Sequence, residues 1–216
     1  MVSKRAIRGD TRARIVAAAA EEFARCGFDG AKVDRIAARA AVNKAMLYYH
    51  FANKAALYRD ILRTMFATVA AAVDSLRESG ASPQAQLAAF IAAVNDTALT
   101  HPHFPPMWLR EIADGGRHLD DAIVREMSSV VSTLAGILSL GAQRGDFRPV
   151  HPFIVQLGIV GPLLLFAASA PIRERYRDRT PQQIGSIPRE AVVAQVQSMT
   201  LAGLRPEPAH PVRRRR

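Results

Sequence analysis

The hydrophobic positions of residues 33–57 follow helical spacing twice, with a short interruption between the two runs. Four apolar residues fall on one face of the first helix: Val33, Ile36, Ala37 and Ala40. The next two residues form a connection, after which the side chain of Asn43 can cap a second helix by accepting from its free N–H groups. Leu47 and Phe51 lie four positions apart and share a face that packs inward. The pattern predicts a helix-turn-helix.

The second of these helices turns a mixed set of side chains outward. They are a cation, two tyrosines and two apolar residues: Lys44, Tyr48, Tyr49, Ala45 and Met46. In a helix-turn-helix, the second helix enters the major groove of DNA with its first residues against the base edges. The outward face therefore predicts a recognition helix for duplex DNA.

The segment before the motif predicts a first helix of about four turns. Thr11 precedes an apolar run at helical spacing and can cap its start, and Gly27 can end it. The three helices then share a small core of bulky residues: Ile15, Phe23, Val33, Ile36, Leu47 and Phe51. A fourth helix is expected to start after Asn53.

The rest of the chain alternates amphipathic runs with helix breakers. The predicted helices cover residues 53–78, 83–100, 107–113, 119–140, 153–170 and 188–204, with a polar loop at 173–188. Prolines within residues 101–106 stop one helix, and Gly141 closes another. No alternating strand pattern of useful length occurs, so the predicted fold is all-α. The expected organisation is a helix-turn-helix domain at 8–68 with its motif at 32–51, a helical domain at 69–204, and a disordered basic tail at 205–216.

Positive charge is concentrated at the two ends of the chain. Residues 1–60 carry twelve Lys and Arg against six Asp and Glu, residues 61–204 carry twelve of each, and the last twelve residues carry five against one. The net charge of +10 therefore belongs to the helix-turn-helix domain and the tail. This distribution is typical of a chain whose N-terminal part faces a polyanion. A basic surface that only aids solubility is the alternative.

Composition agrees with a helical regulator of ordinary size. Of the 216 residues, 49% are apolar but only 6% are aromatic, as in helical proteins rich in Ala, Leu and Val. The single cysteine, Cys26, excludes an internal disulfide, and we expect a half-buried structural residue in preference to a redox switch. The first ten residues are basic without an apolar run, so the sequence predicts no secretory signal and a cytoplasmic location.

Two spaced motifs carry a family resemblance. They are T-R-x-x-I-V-x-A-A-x-x-x-F-x-x-x-G-F-D-G at residues 11–30 and V-D-R-I-A-x-x-A-x-V-N-K-x-x-L-Y-Y-H-F-x-N-K-x-x-L-Y at residues 33–58. Together they resemble the tetracycline-repressor (TetR/AcrR) family of regulators. The resemblance implies that Lys44 and Tyr48 approach the major groove, that Tyr49 and His50 meet phosphates, and that Thr11 and Lys54 do so through helix N-termini.

Two positions depart from the family pattern. Lys32 stands where Ser or Thr often caps the second helix, which weakens that cap by about 1 kcal/mol. Ala41 stands where the turn often has glycine, which removes some freedom from the turn. Neither departure removes a residue expected to contact DNA.

The helix predicted at 153–170 is apolar apart from Gln156 and Ser169, which approaches the length of a membrane span. Gly158, Gly161 and Pro162 within it favour a helix buried between two subunits instead. A homodimer would also let two recognition helices read a palindromic operator. The expected dimer interface is formed by this helix and the last one, through Phe153, Leu157, Val160, Leu164, Val192, Val196 and Met199. Completion of the monomer core is the alternative.

The central helices carry bulky, adaptable side chains that could surround a hydrophobic cavity. These candidates for a pocket are Met65, Phe66, Phe90, Phe104, Met107, Trp108, Met127 and Phe166. The family resemblance implies an inducer pocket in this region, whereas each residue alone is equally typical of core packing. The sequence does not identify the effector, so its class stays open.

Catalytic, metal and cofactor signatures are missing from the sequence. The pair His101 and His103 lies in a proline-rich turn without a carboxylate at ligand spacing. No G-x-S-x-G turn or glycine-rich phosphate loop occurs. The sequence therefore predicts no enzyme, no cofactor and no metal, and favours a homodimeric, ligand-responsive DNA-binding regulator, more specifically a repressor. An architectural DNA-binding protein without an effector and a membrane-associated helical protein are the competing hypotheses.

Overall fold

The computed structural model describes residues 4–179 and 184–206, and every regular element in that part of the chain is helical. The helices are α1 (Lys4–Gly30), α2 (Val33–Arg39), α3 (Lys44–His50), α4 (Lys54–Asp74), α5 (Pro83–Thr100), α6 (Phe104–Ala113), α7 (Asp121–Arg144), α8 (Pro152–Ala168), α9 (Ala170–Arg175) and α10 (Arg189–Gly203). Short 3-10 turns occupy Ser75–Glu78, Arg177–Arg179 and Ile184–Ser186. The all-α prediction is confirmed.

The N-terminal core is built from the side chains that the periodicity places inward. Ile15, Phe23, Ile36 and Leu47 have no exposed surface, and Phe51 is also buried. The sixth predicted core residue, Val33, is half-buried and packs against this cluster. Helices α1 to α3 and the first turns of α4 thus share one apolar centre, which holds the recognition helix in place.

A second cluster fills the C-terminal part of the chain. Its fully buried members include Val73 of α4, Leu87 and Phe90 of α5, Leu134 of α7 and Ile159 of α8. Helix α4 contributes to both clusters and packs most extensively against α7. The predicted domain boundary at 68 therefore falls within a continuous helix, and the domain limits stay a prediction.

Two predicted features of α1 have different outcomes. Thr11 does not cap the helix, because α1 begins at Lys4 and Thr11 lies inside it. An ion pair between Asp10 and Arg14 at helical spacing supports the added turns. Gly27 does interrupt the helix, with φ 72° and ψ 178°, although one more turn follows to Gly30. Glycine adopts this left-handed φ without the penalty that a Cβ would impose.

Helix α6 begins earlier than predicted. The prolines expected to end helical structure at 101–106 instead lie in its first turn, after Phe104. The backbone nitrogens of a first turn have no intrahelical acceptor, so a proline there sacrifices no hydrogen bond.

The predicted limits of α7 were wrong at both ends. It starts at Asp121, where the side chain of Asp120 accepts from Ile123 N at 3.0 Å. It passes through Gly141 and ends at Gly145, whose φ is 78°. The ring of Phe147 covers Gly141 so closely that an added Cβ would lie 2.0 Å from it. Gly141 is thus needed for close packing, and Gly145 supplies the left-handed cap.

The remaining C-terminal elements largely follow the pattern. Helix α8 spans Pro152–Ala168, with Pro162 inside it, and α10 begins one residue after Pro188. The loop predicted at 173–188 contains the end of α9 and two 3-10 turns. The predicted disordered tail lies outside the described residues from position 207 onward.

The turn between α2 and α3 carries a local conformational cost. Ala41 has a φ of 52°, the one positive φ of a non-glycine residue in the described chain. For a residue with a Cβ this conformation costs about 1–2 kcal/mol. We expect Ala41→Gly to raise the free energy of unfolding by about 1 kcal/mol, measured by urea denaturation.

Ala38→Gly is the matched control, since Ala38 is an exposed residue inside α2. That substitution should lower stability by about 0.5–1 kcal/mol. Loss of stability in both variants would contradict the assignment of strain to Ala41.

Candidate DNA interface and its connection to the second domain

Helix α3 is held from below and capped at its start. Its only buried side chain is Leu47, which is fully covered, and Phe51 ends the helix inside the same core. The Asn43 side chain accepts from Met46 N at 2.7 Å, which confirms the predicted cap. The opposite face is free of core contacts, so the fold presents α3 as an outward ridge.

The outward ridge consists of the side chains that the sequence predicts. All five are exposed, with Tyr48 at 44% and Tyr49 at 60%, and the set is Lys44, Ala45, Met46, Tyr48 and Tyr49. His50, the last residue of the helix, is half-buried. Aromatic, apolar and cationic groups on one short helix can meet base edges, thymine methyl groups and phosphates.

The ammonium of Lys44 has a partner on α2. Its Nζ lies 2.9 Å from Oδ1 of Asp34, in the first turn of α2. The hydrogen bond and the charge of Asp34 raise the pKa of Lys44. Both side chains remain largely exposed, so this ion pair lies on the surface of the helix-turn-helix and not in its core.

Most cations of residues 10–60 are similarly engaged. Each has an acidic or carbonyl partner, except Lys32: the engaged cations are Arg12, Arg14, Arg25, Arg35, Arg39, Lys44, Lys54 and Arg59. Lys32 is exposed and precedes α2 without forming a side-chain cap, as its departure from the family pattern predicts. The excess positive charge of this region is therefore presented by few groups.

Lys54 is placed differently from the expectation. Its Nζ donates to the carbonyl oxygens of Phe28, at 2.9 Å, and Ala31, at 3.2 Å, and lies 4.4 Å from the ring centre of Phe28. The ammonium thus satisfies the end of α1, since the last carbonyls of a helix lack intrahelical donors. The prediction that Lys54 serves DNA without supporting the fold was wrong on the second count.

A buried carboxylate ties α2 to α1. Glu22 has no exposed surface and accepts from Arg35 Nε at 2.7 Å and Arg25 Nη2 at 2.9 Å. Burial alone would raise the pKa of Glu22, but the hydrogen bond from Arg25 and the charges of both arginines outweigh it, and the pKa is lowered. Cys26 is a half-buried neighbour whose Sγ lies 3.6 Å from this carboxylate. Its surroundings agree with a structural role.

The end of α1 is also held by the second domain. Arg110 of α6 donates to the carbonyl oxygens of Phe23, at 3.3 Å, Ala24 and Arg25. Arg117, in the loop after α6, pairs with Asp29 at 2.5 Å. A movement of α6 would therefore be transmitted directly to the helix that carries the helix-turn-helix.

A buried polar cluster lies beside this contact. Glu111 of α6 is 1% exposed and accepts from Tyr58 Oη of α4 at 3.1 Å and from His118 N at 2.8 Å, and His118 Nδ1 lies 2.9 Å away. Burial, followed by the charge of Glu111, raises the pKa of Tyr58 well above its ordinary value. The phenol therefore stays protonated and keeps donating to the carboxylate.

Comparison with known proteins identifies both parts of the chain. Residues 15–61 match the model of bacterial regulatory proteins of the tetR family, and residues 83–171 match that of the tetracyclin repressor-like C-terminal domain. The chain belongs to the TetR family. The first match covers the helix-turn-helix described above, and the second covers α5 to the start of α9.

Individual relatives agree with this assignment. The transcriptional repressor NicS of Pseudomonas putida is 31% identical over 140 residues, which cover 64% of this chain and 66% of that protein. The transcriptional regulator RutR of Escherichia coli O157:H7 is 27% identical over 89% of both chains. The crystal structure of FadR from Bacillus subtilis in complex with stearoyl-CoA has a TM-score of 0.66 at 16% identity, covering 89% of this chain and 98% of that one.

The eight residues predicted to line an effector pocket do not surround one cavity in this TetR-family chain. Phe90 is fully buried in the second cluster, whereas Met65, Phe104 and Met107 are buried in the first. Phe66, Trp108 and Met127 pack against that first cluster, and Phe166 lies under the guanidinium of Arg173. These side chains therefore fill core space, because α4, α6 and α7 approach each other closely enough for their rings to be in contact.

The clefts of the described chain lie elsewhere, between α8 and α10. One has a volume of about 520 Å³ and extends from His151 to Met199, and the other, of about 270 Å³, lies between Pro162 and Val192. Neither is lined by any predicted pocket residue. Both are open and mainly apolar, so they belong to the surface of the predicted dimer interface.

That surface supports the interface prediction in part. Phe153, Leu157 and Met199 are 52%, 57% and 63% exposed, while Val160 and Val192 are half-buried. The prediction was wrong for Leu164 and Val196, which are each 5% exposed and bury their side chains within the monomer. Ile154, at 69%, and Leu165, at 59%, lie on the exposed apolar face of α8 and were missed. Their helical spacing relative to Leu157 was the available signal.

A membrane span and a metal site gain no support from the described residues. Helix α7 is the one described helix long and apolar enough to cross a membrane, but Ile123, Leu134 and Ile137 bury its inner face in the protein. Helix α8, the suspected span, has only 17 residues. Within the described residues, no group of three or more His, Cys, Asp or Glu could hold a metal ion.

The Glu22 cluster predicts a pH dependence of stability. Because the folded-state pKa of Glu22 is depressed, its contribution is present above the ordinary value of 4.5 and is lost as the pH falls through the folded-state pKa. We expect Glu22→Gln to lower the free energy of unfolding at pH 7 by about 1–3 kcal/mol. Urea denaturation at neutral and acidic pH should show the difference from the unmodified protein shrinking on acidification.

Glu21→Gln is the matched control, because Glu21 is exposed and pairs with the exposed Arg39. Exposed pairs contribute little, so this variant should change stability by less than about 1 kcal/mol. A deficit of Glu22→Gln that stays constant in acid would contradict the role of the ionised carboxylate.

Proposed function

We propose that this protein is a ligand-responsive transcriptional repressor that binds a palindromic operator as a homodimer and is released by a small-molecule effector. The observation that carries the proposal is the exposed face of α3, on a domain whose core contains every inward position of a helix-turn-helix. Family membership supports the same class of function. We place the protein in the cytoplasm, where bacterial operator DNA is found.

Each exposed residue of α3 suits a particular DNA contact. Lys44 and Tyr48 are assigned to base edges, since a lysine ammonium can donate to guanine O6 and N7 and a phenol can donate or accept. Ala45 and Met46 offer apolar contact to thymine methyl groups. Tyr49 and His50, at the end of the helix, are assigned to phosphates, and the Asn43 amide is placed at its start.

Two residues predicted to contact DNA have a weaker case. Thr11 lies inside α1, so its hydroxyl and not a free helix N-terminus is what it could offer to a phosphate. The Lys54 ammonium already serves the carbonyls at the end of α1. We therefore assign the specific contacts to α3 alone. The basic tail, whose contact with DNA the sequence leaves open, lies outside the described residues.

The dimer is proposed to form through α8 and α10. The exposed apolar side chains of α8 recur at helical spacing, as Ile154, Leu157 and Leu165, and Met199 of α10 lies beside them across a cleft. A soluble monomer rarely leaves such a contiguous apolar face in water. Gly158 lines both clefts and lacks a side chain, which leaves room for close approach of a partner helix.

Effector control is proposed to act through α6. A ligand that binds the second domain can shift the equilibrium only by binding two arrangements of the protein with different affinity. Arg110 and Glu111 connect α6 to α1 and α4, so two positions of α6 correspond to two positions of the recognition helix. The buried Oε1 of Gln156 in α8 has no hydrogen-bond partner among the described residues, and we assign it as an acceptor for the effector.

An architectural DNA-binding role without an effector is not favoured. The match of residues 83–171 to the family's C-terminal domain supports a complete regulator. A purely architectural protein would need no such domain, because its affinity comes from phosphate contacts and DNA deformation.

Tyr48→Ala is expected to impair operator recognition without affecting the fold. Because the phenol is 44% exposed, its removal leaves no cavity in the core. Affinity for an operator selected from random DNA should fall by about 1–3 kcal/mol, with a smaller change on random duplex. Fluorescence anisotropy titration measures both.

Tyr176→Ala is the matched control, with a tyrosine 38% exposed in the second domain. It should bind operator and random DNA like the unmodified protein. Equal operator affinity of Tyr48→Ala and Tyr176→Ala would rule out α3 as the recognition helix.

Leu157→Glu is expected to yield monomers with weak operator binding. The side chain is 57% exposed in the monomer, so the charge is tolerated there but becomes buried and unpaired in a dimer. A monomer contacts one half-site only, which reduces operator affinity. Sedimentation equilibrium and operator titration measure the two effects.

Leu99→Glu serves as the comparison, because Leu99 is 49% exposed on α5. That variant should remain dimeric and bind the operator. A dimer of unchanged stability for Leu157→Glu would exclude this face of α8 from the interface.

A further inference from the structure

The first turn of α2 places a carboxylate next to the recognition helix. Asp34 and Lys44 form an ion pair of 2.9 Å, with 74% and 51% of their side-chain surfaces exposed. Lys44 is the first residue of α3, so the pair lies at the end of the helix that leads into the groove.

The fold gains little from this ion pair. Exposed pairs of Lys with Asp are weak because water and salt screen them. Helices α2 and α3 are already joined by Ile36 and Leu47, which are fully buried in the shared core. The stability of the domain therefore does not account for the pair.

The ion pairs on α1 in the same domain have evident structural roles. Glu22 is buried beneath Arg25 and Arg35, and Arg12 joins α1 to α4 through Asp60. The Asp34 pair differs because it brings negative charge to a surface assigned to a polyanion. A carboxylate in that position opposes the approach of phosphates and competes with DNA for Lys44.

We propose that Asp34 is a specificity-determining positioning residue that withholds Lys44 from non-cognate DNA. On random sequence, Lys44 stays with Asp34 and releases no counterion. On the operator, a correctly placed acceptor replaces the carboxylate and Lys44 contributes to binding. The proposal rests on the proposed entry of α3 into the major groove, and it adds a residue of α2 that lowers affinity for the wrong sequence.

The chain supplies its own contrast in Lys32. This exposed lysine lies two positions before Asp34 and has no partner in the described part of the chain. Nothing holds its ammonium back, so it can meet a phosphate of any duplex. The two lysines should therefore act differently, with Lys32 adding affinity everywhere and Lys44 adding it only at the operator.

The test is Asp34→Asn in the full chain, with two probes: a random-sequence duplex and an operator selected with the unmodified protein. Affinity for random DNA should rise about fivefold at low salt, and the salt dependence of log K should steepen by about 0.9 as one more phosphate is neutralised. Operator affinity should rise less than about twofold, because Lys44 is already engaged there. The ratio of operator to random affinity should thus fall.

Glu21→Gln provides the control for a general charge effect. It also removes one exposed carboxylate from an ion pair of this domain, but its partner Arg39 lies outside α3. Lys32→Ala should lower both affinities by the same factor. An unchanged or larger ratio for Asp34→Asn, or an equal fall for Glu21→Gln, would overturn the proposal.

Failure of this inference is distinguishable from failure of the proposed function. If Tyr48→Ala keeps full operator preference, α3 is not the recognition helix and both fall. If Tyr48→Ala loses that preference while Asp34→Asn retains it, only the role of Asp34 is excluded. Circular dichroism and thermal unfolding verify that each variant is folded, which the exposure of Asp34 leads us to expect.

Discussion

The carbonyl groups at the end of α1 must find donors outside their own helix, and this requirement organises the molecule. Glycine geometry at Gly27 turns the chain there. Lys54 of α4 and Arg110 of α6 then supply the missing hydrogen bonds, one from each side. Helix α1 carries the floor of the helix-turn-helix, so the same few bonds set where the DNA-reading helix lies relative to the rest of the protein.

Short-range patterns predicted the fold wherever local rules decide it. The inward positions of α2 and α3, the Asn43 cap and the limits of α5 follow from periodicity and capping alone. Gly141 was misassigned because its role depends on Phe147, whose ring reaches it from beyond the helix end. A glycine that permits packing and a glycine that ends a helix look the same in sequence.

The candidate sites show the same division. The exposed face of α3 could be predicted, because a solvent-facing stripe is a property of one helix. Leu164 could not be separated from Leu157 in a helix that is apolar on all sides, since burial depends on which neighbours cover each face. The destination of Lys54 likewise depended on carbonyls more than twenty positions away, which no local pattern reveals. The pocket residues were recognised as bulky and adaptable, but only the packing of α4, α6 and α7 shows that they fill a core.

Sharing α4 between the two clusters has a consequence for how the protein unfolds. Leu57 and Leu62 of this helix are buried in the first cluster, and Val73 is buried in the second. Melting either cluster removes the packing that keeps half of α4 helical, and that loss propagates along one uninterrupted hydrogen-bonded rod. The two domains are thus cooperative parts of one folding unit, in which a heat-absorption scan would meet a single transition and not two.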